Sequence, residues 1–372
     1  MIGALHQMVP SLRTGDAVGG HTLAVRDALR SLGLESEVFV ENAHPAVASE
    51  TLPVDDYVEY TRTRRTPRVG VIYQLAVGAN TADLFFALPE PKIVDYHNIT
   101  PPEFFAGWDD FEAMRCRVGR TQMERLARRT DLALADSAFN AADLVDSGYT
   151  CPTAVVPILL NLDAFDGESD DATERRLARA KRGGGADWLF VGRYAPNKAL
   201  HDLVKAFAVY RATVDPRARL HMVGSEGPAN YVTALRDLVA AAGIGGAVSF
   251  VTGATQGELA AHYRAADVYV CLSDHEGFCI PLLEAIHHDV PVVAFEAGAV
   301  PETLGPGGLL LPSKEPLTVA TAVGRVLGDA RLRARLVEAG RRRLDDFTLE
   351  RSRAKLVAAL GPLLESAGVG VP

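Results

Sequence analysis

Short apolar runs rich in β-branched residues alternate with longer amphipathic segments along most of the chain. The short runs predict strands at 37–41, 69–73, 92–96, 132–135 and 154–157, with an opening strand inside 1–8. A second series follows at 188–191, 220–223, 248–251, 268–272 and 291–295, with a shorter candidate at 309–311. Helical spacing fills 22–32, 111–129, 199–211, 229–242, 256–265 and 281–288. Strand–helix–strand repetition of this kind implies parallel sheets covered by helices on both faces.

The segment 166–187 breaks the pattern. It carries Asp170-Asp171, Arg175-Arg176 and Lys181-Arg182, and leads through Gly183-Gly184-Gly185 into the next strand, a composition that reads as a linker. The expected fold is therefore α/β, with two doubly wound Rossmann-like domains, 1–165 and 166–346, meeting at a cleft. A final helical pattern in 347–372 (Leu349, Leu356, Leu360) is expected to pack back toward the first domain.

Composition narrows the function. The 372 residues suit about two domains. Lys+Arg 38 against Asp+Glu 47 leaves a net charge of −9, which argues against a general nucleic-acid binder. The four cysteines, 116, 151, 271 and 279, form no C-x-x-C pair and no disulfide framework. The first residues lack a basic region with a long apolar core, and no apolar run approaches the roughly 18 residues of a membrane span. A soluble cytoplasmic protein is expected. The arginines at 62–65 and between 115 and 129 read first as a solvated cationic face, and second as a weak peripheral contact with the inner face of a membrane.

In doubly wound sheets ligands bind where strands end and loops enter helix N-termini. After 188–191 comes Gly192-Arg193-Tyr194-Ala195-Pro196-Asn197-Lys198, where Arg193 offers a planar fork and Lys198 a point charge to a phosphate. On that loop alone, two solvated surface cations are an equal reading. After 268–272 comes Ser273-Asp274-His275-Glu276-Gly277-Phe278-Cys279-Ile280-Pro281-Leu282-Leu283-Glu284. Pro281 suits a helix start, so the backbone N–H groups from Gly277 through Phe278, Cys279 and Ile280 to Leu282 are expected to point at a ligand. Glu276 and Glu284 are carboxylates able to hold sugar and ribose hydroxyls, although Glu284 also reads as a first-turn acid that complements the helix dipole. Thr252, at the end of 248–251, marks a strand end suited to a base. In the first half, Gly19-Gly20 within 15–21 permit close backbone approach ahead of the first helix, without the spacing of a Walker loop or a dinucleotide fingerprint. His97 follows the strand 92–96 and reads either as a donor facing the cleft or as a packed or capping residue.

Taken together these segments resemble the retaining, nucleotide-sugar-dependent glycosyltransferases of family four, which have the GT-B fold. The resemblance rests on Phe190-Val191-Gly192-Arg193 with Lys198, Ala266-Asp267-Val268, Ser273 through Phe278 with Pro281 and Glu284-Ala285, and Pro291-Val292-Val293 followed by Pro301-Glu302. Gly19-Gly20, His97-Asn98, Ser137 with Asn140, and Val156-Pro157 through Asn161, Asp163 and Phe165 extend it into the first half. It implies that Arg193 and Lys198 hold the donor diphosphate and that Glu284 binds the ribose. It also implies that Glu276 and the 277–279 backbone hold the donor sugar, that Gly20 borders the diphosphate, and that His97 approaches the sugar. Cys279 and Asp289 stand where the family usually has glycine. The implied partners are a nucleotide-sugar donor and an acceptor that is a sugar, a lipid-linked sugar or a small molecule. No metal or other cofactor is expected, since the chain has no Asp-x-Asp motif and His287-His288 reads as an exposed helix end. A hydrolysing nucleotide-sugar epimerase of similar fold and an inactive nucleotide-sugar binder are the alternatives. A nicotinamide oxidoreductase is disfavoured by the missing glycine fingerprint.

Overall fold

The computed structural model describes residues 2–13, 17–64 and 68–365. Gly15 and Asp16 of the first glycine loop, Arg65, Met1 and residues 366–372 lie outside the described residues. The chain divides into two compact units: Met1–Pro102 with Phe111–Leu160 and Phe347–Pro372, and Glu103–Asp110 with Asn161–Asp346.

The first unit is built on β1 (Ala4–Leu12), β2 (Val38–Ala43), β3 (Leu52–Pro53), β4 (Val69–Leu75), β5 (Lys92–Tyr96), β6 (Leu132–Ala135) and β7 (Thr153–Val155). They form one parallel sheet in the order β3-β2-β1-β4-β5-β6-β7. The second unit contains β8 (Asp187–Val191), β9 (Arg219–Gly224), β10 (Val248–Thr252), β11 (Val268–Cys271), β12 (Val292–Phe295) and β13 (Gly308–Leu311). These form a parallel sheet in the order β10-β9-β8-β11-β12-β13. Central strands such as β5, β6 and β11 are buried at every position, as sheets covered on both faces require.

Three sequence expectations change. The segment 166–187 is not a linker, because it contains the helix Asp171–Lys181, capped where the Asp170 carboxylate accepts from the Thr173 N–H at 2.7 Å. Its acidic first turn and basic last turn match the helix dipole, and Thr173 and Leu177 are buried. The charge that suggested a linker is one solvent-facing side of a packed helix. The first helix is Ala17–Ser31, so Gly19 and Gly20 lie in its first turn rather than ahead of it. His287 and His288 are not an exposed end: the His287 side chain is 16% exposed and bonds Asp166 at 2.9 Å, while the His288 ring stacks on Tyr263.

The arginines read as a cationic face are largely paired with acids, as in Arg62–Glu59, Arg115–Glu112 and Arg120–Asp143. Among the described residues no helix is long and apolar enough to cross a membrane. The last helix, Leu349–Glu365, belongs to the first unit. Its Leu356, Leu360 and Leu364 join Ile2, Leu5, Val25, Leu29 and Leu134 in one buried cluster. Truncating a fully buried leucine removes transfer energy and leaves a cavity. Leu360→Ala is therefore expected to destabilise the first unit by about 3 kcal/mol in chemical denaturation, leaving the second unit's transition in place.

Candidate functional site

Each sheet runs outward in both directions from its first strand, so the strand order reverses between β1 and β4 and between β8 and β11. Loops leaving the two strands on either side of a reversal turn to opposite faces and open a crevice at the strands' carboxyl ends. In the second unit those are the loops after β8 and β11, which carry Arg193, Lys198 and Glu276.

Lys198 Nζ lies 2.6 Å from Glu276 Oε2, with side chains 22% and 8% exposed. Burial pulls the Lys198 pKa down, but the Glu276 carboxylate and the nearby thiols outweigh it and hold the ammonium above its ordinary value. Asn197, buried beside Lys198, joins the two loops: its carbonyl accepts from the Asp274 N–H at 2.8 Å and its side-chain amide donates to the His275 carbonyl. Glu276 is fixed from behind by the loop after β12. The Ala299 N–H donates to the Glu276 carbonyl at 2.9 Å, and Gly298, at φ +54°, lies so close that a Cβ would stand 2.3 Å from that oxygen. Thr303 Oγ1 donates to the Phe278 carbonyl at 2.6 Å.

Arg193 lies with its guanidinium carbon 6.0 Å from the Phe105 ring centroid. Phe105 comes from the excursion Glu103–Asp110, which belongs to the second unit although its neighbours in sequence belong to the first. Trp108 anchors that excursion edge-on to Tyr231 at 5.2 Å.

Glu284 projects from the helix Ile280–His287 and accepts from the Tyr263 hydroxyl at 2.6 Å. Burial pushes its pKa up to about 7, against the opposing pull of that hydrogen bond. Gly277 precedes the buried Phe278 and Cys279; Cys279 caps the helix at φ +71°, Ile280 begins it and Pro281 sits in its first turn. Asp289 follows the same helix at φ +58°. Both departures from the expected glycines thus occupy left-handed backbone, which costs an L-residue about 1–2 kcal/mol. Thr252 ends β10 at the sheet edge, exposed, with β9 between it and β8.

In the first unit, His97 follows β5 with its side chain 1% exposed. Its Nδ1 is 3.0 Å from Asp136 Oδ2 and its Nε2 bonds Gln74 Oε1. Gln74 in turn donates to Gln7, and Gln7 to the Thr22 carbonyl. His21 Nε2 is 2.9 Å from Asp95 Oδ2, and its Nδ1 accepts from the Leu159 N–H. Burial raises the Asp136 pKa, whereas at Asp95 the pull of His21 and His97 overcomes burial and lowers it. Gly19 is buried, where a Cβ would stand 2.8 Å from the Arg13 carbonyl, and Gly20 faces open space.

The structure therefore brings Lys198 and Glu276 into contact, mounts Arg193 on Lys198's loop and Glu284 on the helix following Glu276, and sets Thr252 apart at the sheet edge. Sequence reasoning missed Asn197, Tyr263, Gly298, Thr303, Phe105 and Asp136. Of these, only Asn197, directly before Lys198 on the same loop, left a local signal.

Two parallel Rossmann-like sheets of seven and six strands define the GT-B fold. Solved structures agree: sucrose-phosphate synthase from Thermosynechococcus elongatus superposes at TM-score 0.75, with 21% identity, over 98% of this chain and 100% of that one. HepE from Anabaena, in complex with UDP and glucose, superposes at 0.71 with 18% identity, over 96% and 100%. Residues 171–343, which lie in the second unit, match the family described as glycosyl transferases group 1. A D-inositol 3-phosphate glycosyltransferase from Geodermatophilus obscurus is 35% identical over 247 residues, 63% of this chain and 53% of that protein. A GDP-mannose-dependent alpha-(1-6)-phosphatidylinositol monomannoside mannosyltransferase from Mycolicibacterium smegmatis is 30% identical over 253 residues, 65% of each. The matched stretch thus spans little more than half the length of the first of these relatives.

The Glu284 pKa has a testable sign. Between its ordinary value of 4.5 and about 7, the unfolded chain has lost this proton while the folded chain keeps it. Unfolding then releases a proton, so this group's contribution to stability is full below pH 4.5 and falls as the pH rises toward 7. Glu284→Gln is expected to flatten that fall in ligand-free protein, measured as denaturation midpoints at pH 4.5, 6 and 8.

Proposed function

We propose that this chain is a retaining glycosyltransferase that moves a sugar from a nucleoside diphosphate sugar to an acceptor hydroxyl, with no divalent metal in the transfer step. The observation that carries the reading is the Lys198–Glu276 pair at the β8/β11 reversal, with Arg193 on the same loop as Lys198. The match of residues 171–343 to the group 1 family and the names of the relatives support it.

Breaking the bond between the sugar's anomeric carbon and the diphosphate leaves the electron pair on a phosphate oxygen. Arg193 and Lys198 stabilise that charge where it develops, and they take the part a divalent ion plays elsewhere. The arriving diphosphate shares the Lys198 ammonium, which frees Glu276 oxygens to accept from sugar hydroxyls. Glu284, oriented by Tyr263, accepts from the ribose diol. The acceptor oxygen attacks the face the diphosphate leaves, and its proton passes to the departing phosphate oxygen. Glu276 is committed to Lys198 and to sugar hydroxyls, so it is not assigned the role of covalent nucleophile. His97, its ring buried and held by Asp136 and Gln74, offers a ligand its backbone at the end of β5. The acceptor is a sugar, a lipid-linked sugar or a small polyol, and the relatives' names make inositol phosphates and mannosides the first to try.

The test is a panel of uridine, guanosine, adenosine and thymidine diphosphates and their sugars, first by thermal shift and then by transfer. One nucleotide is expected to raise the melting temperature, and Arg193→Ala and Lys198→Ala each to lower kcat/KM by about 10²–10³-fold. The product is expected to keep the donor's anomeric configuration by NMR, at rates unchanged by chelator. An inverted product, or activity lost in chelator and restored by manganese, overturns the mechanism. Nucleotide release without any acceptor favours the epimerase.

A further inference from the structure

Two of the four cysteines meet beside the candidate site. Cys271 ends β11 and Cys279 caps the next helix, and their sulfurs stand 3.9 Å apart in the interior. A Glu276 carboxylate oxygen lies within 4.8 Å of both. The Ser273 hydroxyl is 3.4 Å from the Cys271 sulfur. Cys279 holds its place in backbone that glycine would adopt without strain, at φ +71°.

We propose that Cys271, Cys279 and Glu276 form a binding site for a soft divalent metal ion such as zinc. Two sulfurs on one tetrahedral zinc, each about 2.3 Å from it, are about 3.8 Å apart. The observed 3.9 Å matches that separation and is nearly twice the roughly 2.05 Å of a disulfide. Thiolate ligands select zinc and cadmium over magnesium and manganese, which prefer all-oxygen sites.

The charge balance is favourable. On binding, each thiol releases its proton to solvent, two metal–sulfur bonds and one metal–oxygen bond form, and no atom changes oxidation state. Two thiolates and one carboxylate then leave one negative charge on the metal centre. The Lys198 ammonium, now 2.6 Å from Glu276, neutralises it without moving far.

An ion there takes the Glu276 oxygen that the transfer reading gives to the donor sugar. Its consequence, inhibition by soft metals of a reaction that uses no metal, rests on that reading. The binding itself does not. Cadmium chloride titrated into the reduced full chain, with no nucleotide present, separates the two.

The expected result is one ion per chain, with thiolate-to-cadmium absorption in the near ultraviolet and two protons released per ion. The protons are read by calorimetry in buffers of different ionisation enthalpy. Loss of a ligand's hydrogen-bond partner already costs about 10–100-fold, so Cys279→Gly and Cys271→Ser, which remove ligands themselves, are each expected to weaken binding by at least about tenfold. Cys279→Gly suits the local backbone, so it decides the matter should Cys271→Ser fail to fold. Cys151→Ser is expected to leave binding unchanged, and magnesium in excess is expected not to compete. Cadmium affinity and absorption amplitude unchanged in Cys279→Gly, absorption that disappears in Cys151→Ser, or absorption that never develops at micromolar cadmium overturns the site.

Discussion

The candidate site depends on one ion pair. Lys198 and Glu276 come from loops 78 residues apart, and neither charge is well solvated. A buried pair repays its desolvation only when its geometry is held and its remaining polar atoms are satisfied. The surrounding structure does this: Asn197 ties the loops together, Gly298 lets the backbone after β12 press against Glu276, and Ala299 and Thr303 anchor the turn on either side. The pair is a preorganised charge that a third, anionic party can reorder. Under the proposed function, that is what a site for a diphosphate needs before the ligand arrives.

The same logic orders the first unit differently. There the buried polar residues are joined side chain to side chain, from Gln7 through Gln74 and His97 to Asp136, with His21 and Asp95 alongside. Closing such a chain within the sheet's own strand ends makes it rigid, and a half-satisfied network would be costly.

Much of this was legible beforehand, for reasons that differ by element. The strands at 92–96 and 132–135 could be read to the residue because central parallel strands are buried throughout and bounded by polar turns. Arg193, Lys198, Glu276 and Glu284 stood out because each lies on a strand-end loop or the helix leaving it. The helix Asp171–Lys181 was lost because its exposed charge outweighed two buried positions in any composition window. Phe105, Tyr263 and Gly298 were illegible because their partners are far along the chain: a ring 88 positions before the arginine it covers carries no local mark. Strand order was equally hidden, and it is strand order that makes the β8 and β11 loops neighbours.

The position of the final helix has a consequence for how the polypeptide is made. Leu356, Leu360 and Leu364 complete a core whose other members include Ile2, Leu5 and Val25. During translation the amino-terminal sheet therefore waits, its apolar floor uncovered, while everything from Asn161 to Asp346 is synthesised. At about 5–20 residues per second that interval is on the order of 10–40 seconds. Among the described residues the second unit draws on nothing after Asp346, so its sheet can mature before the first unit receives the helix Leu349–Glu365, and chaperone demand falls on the first unit.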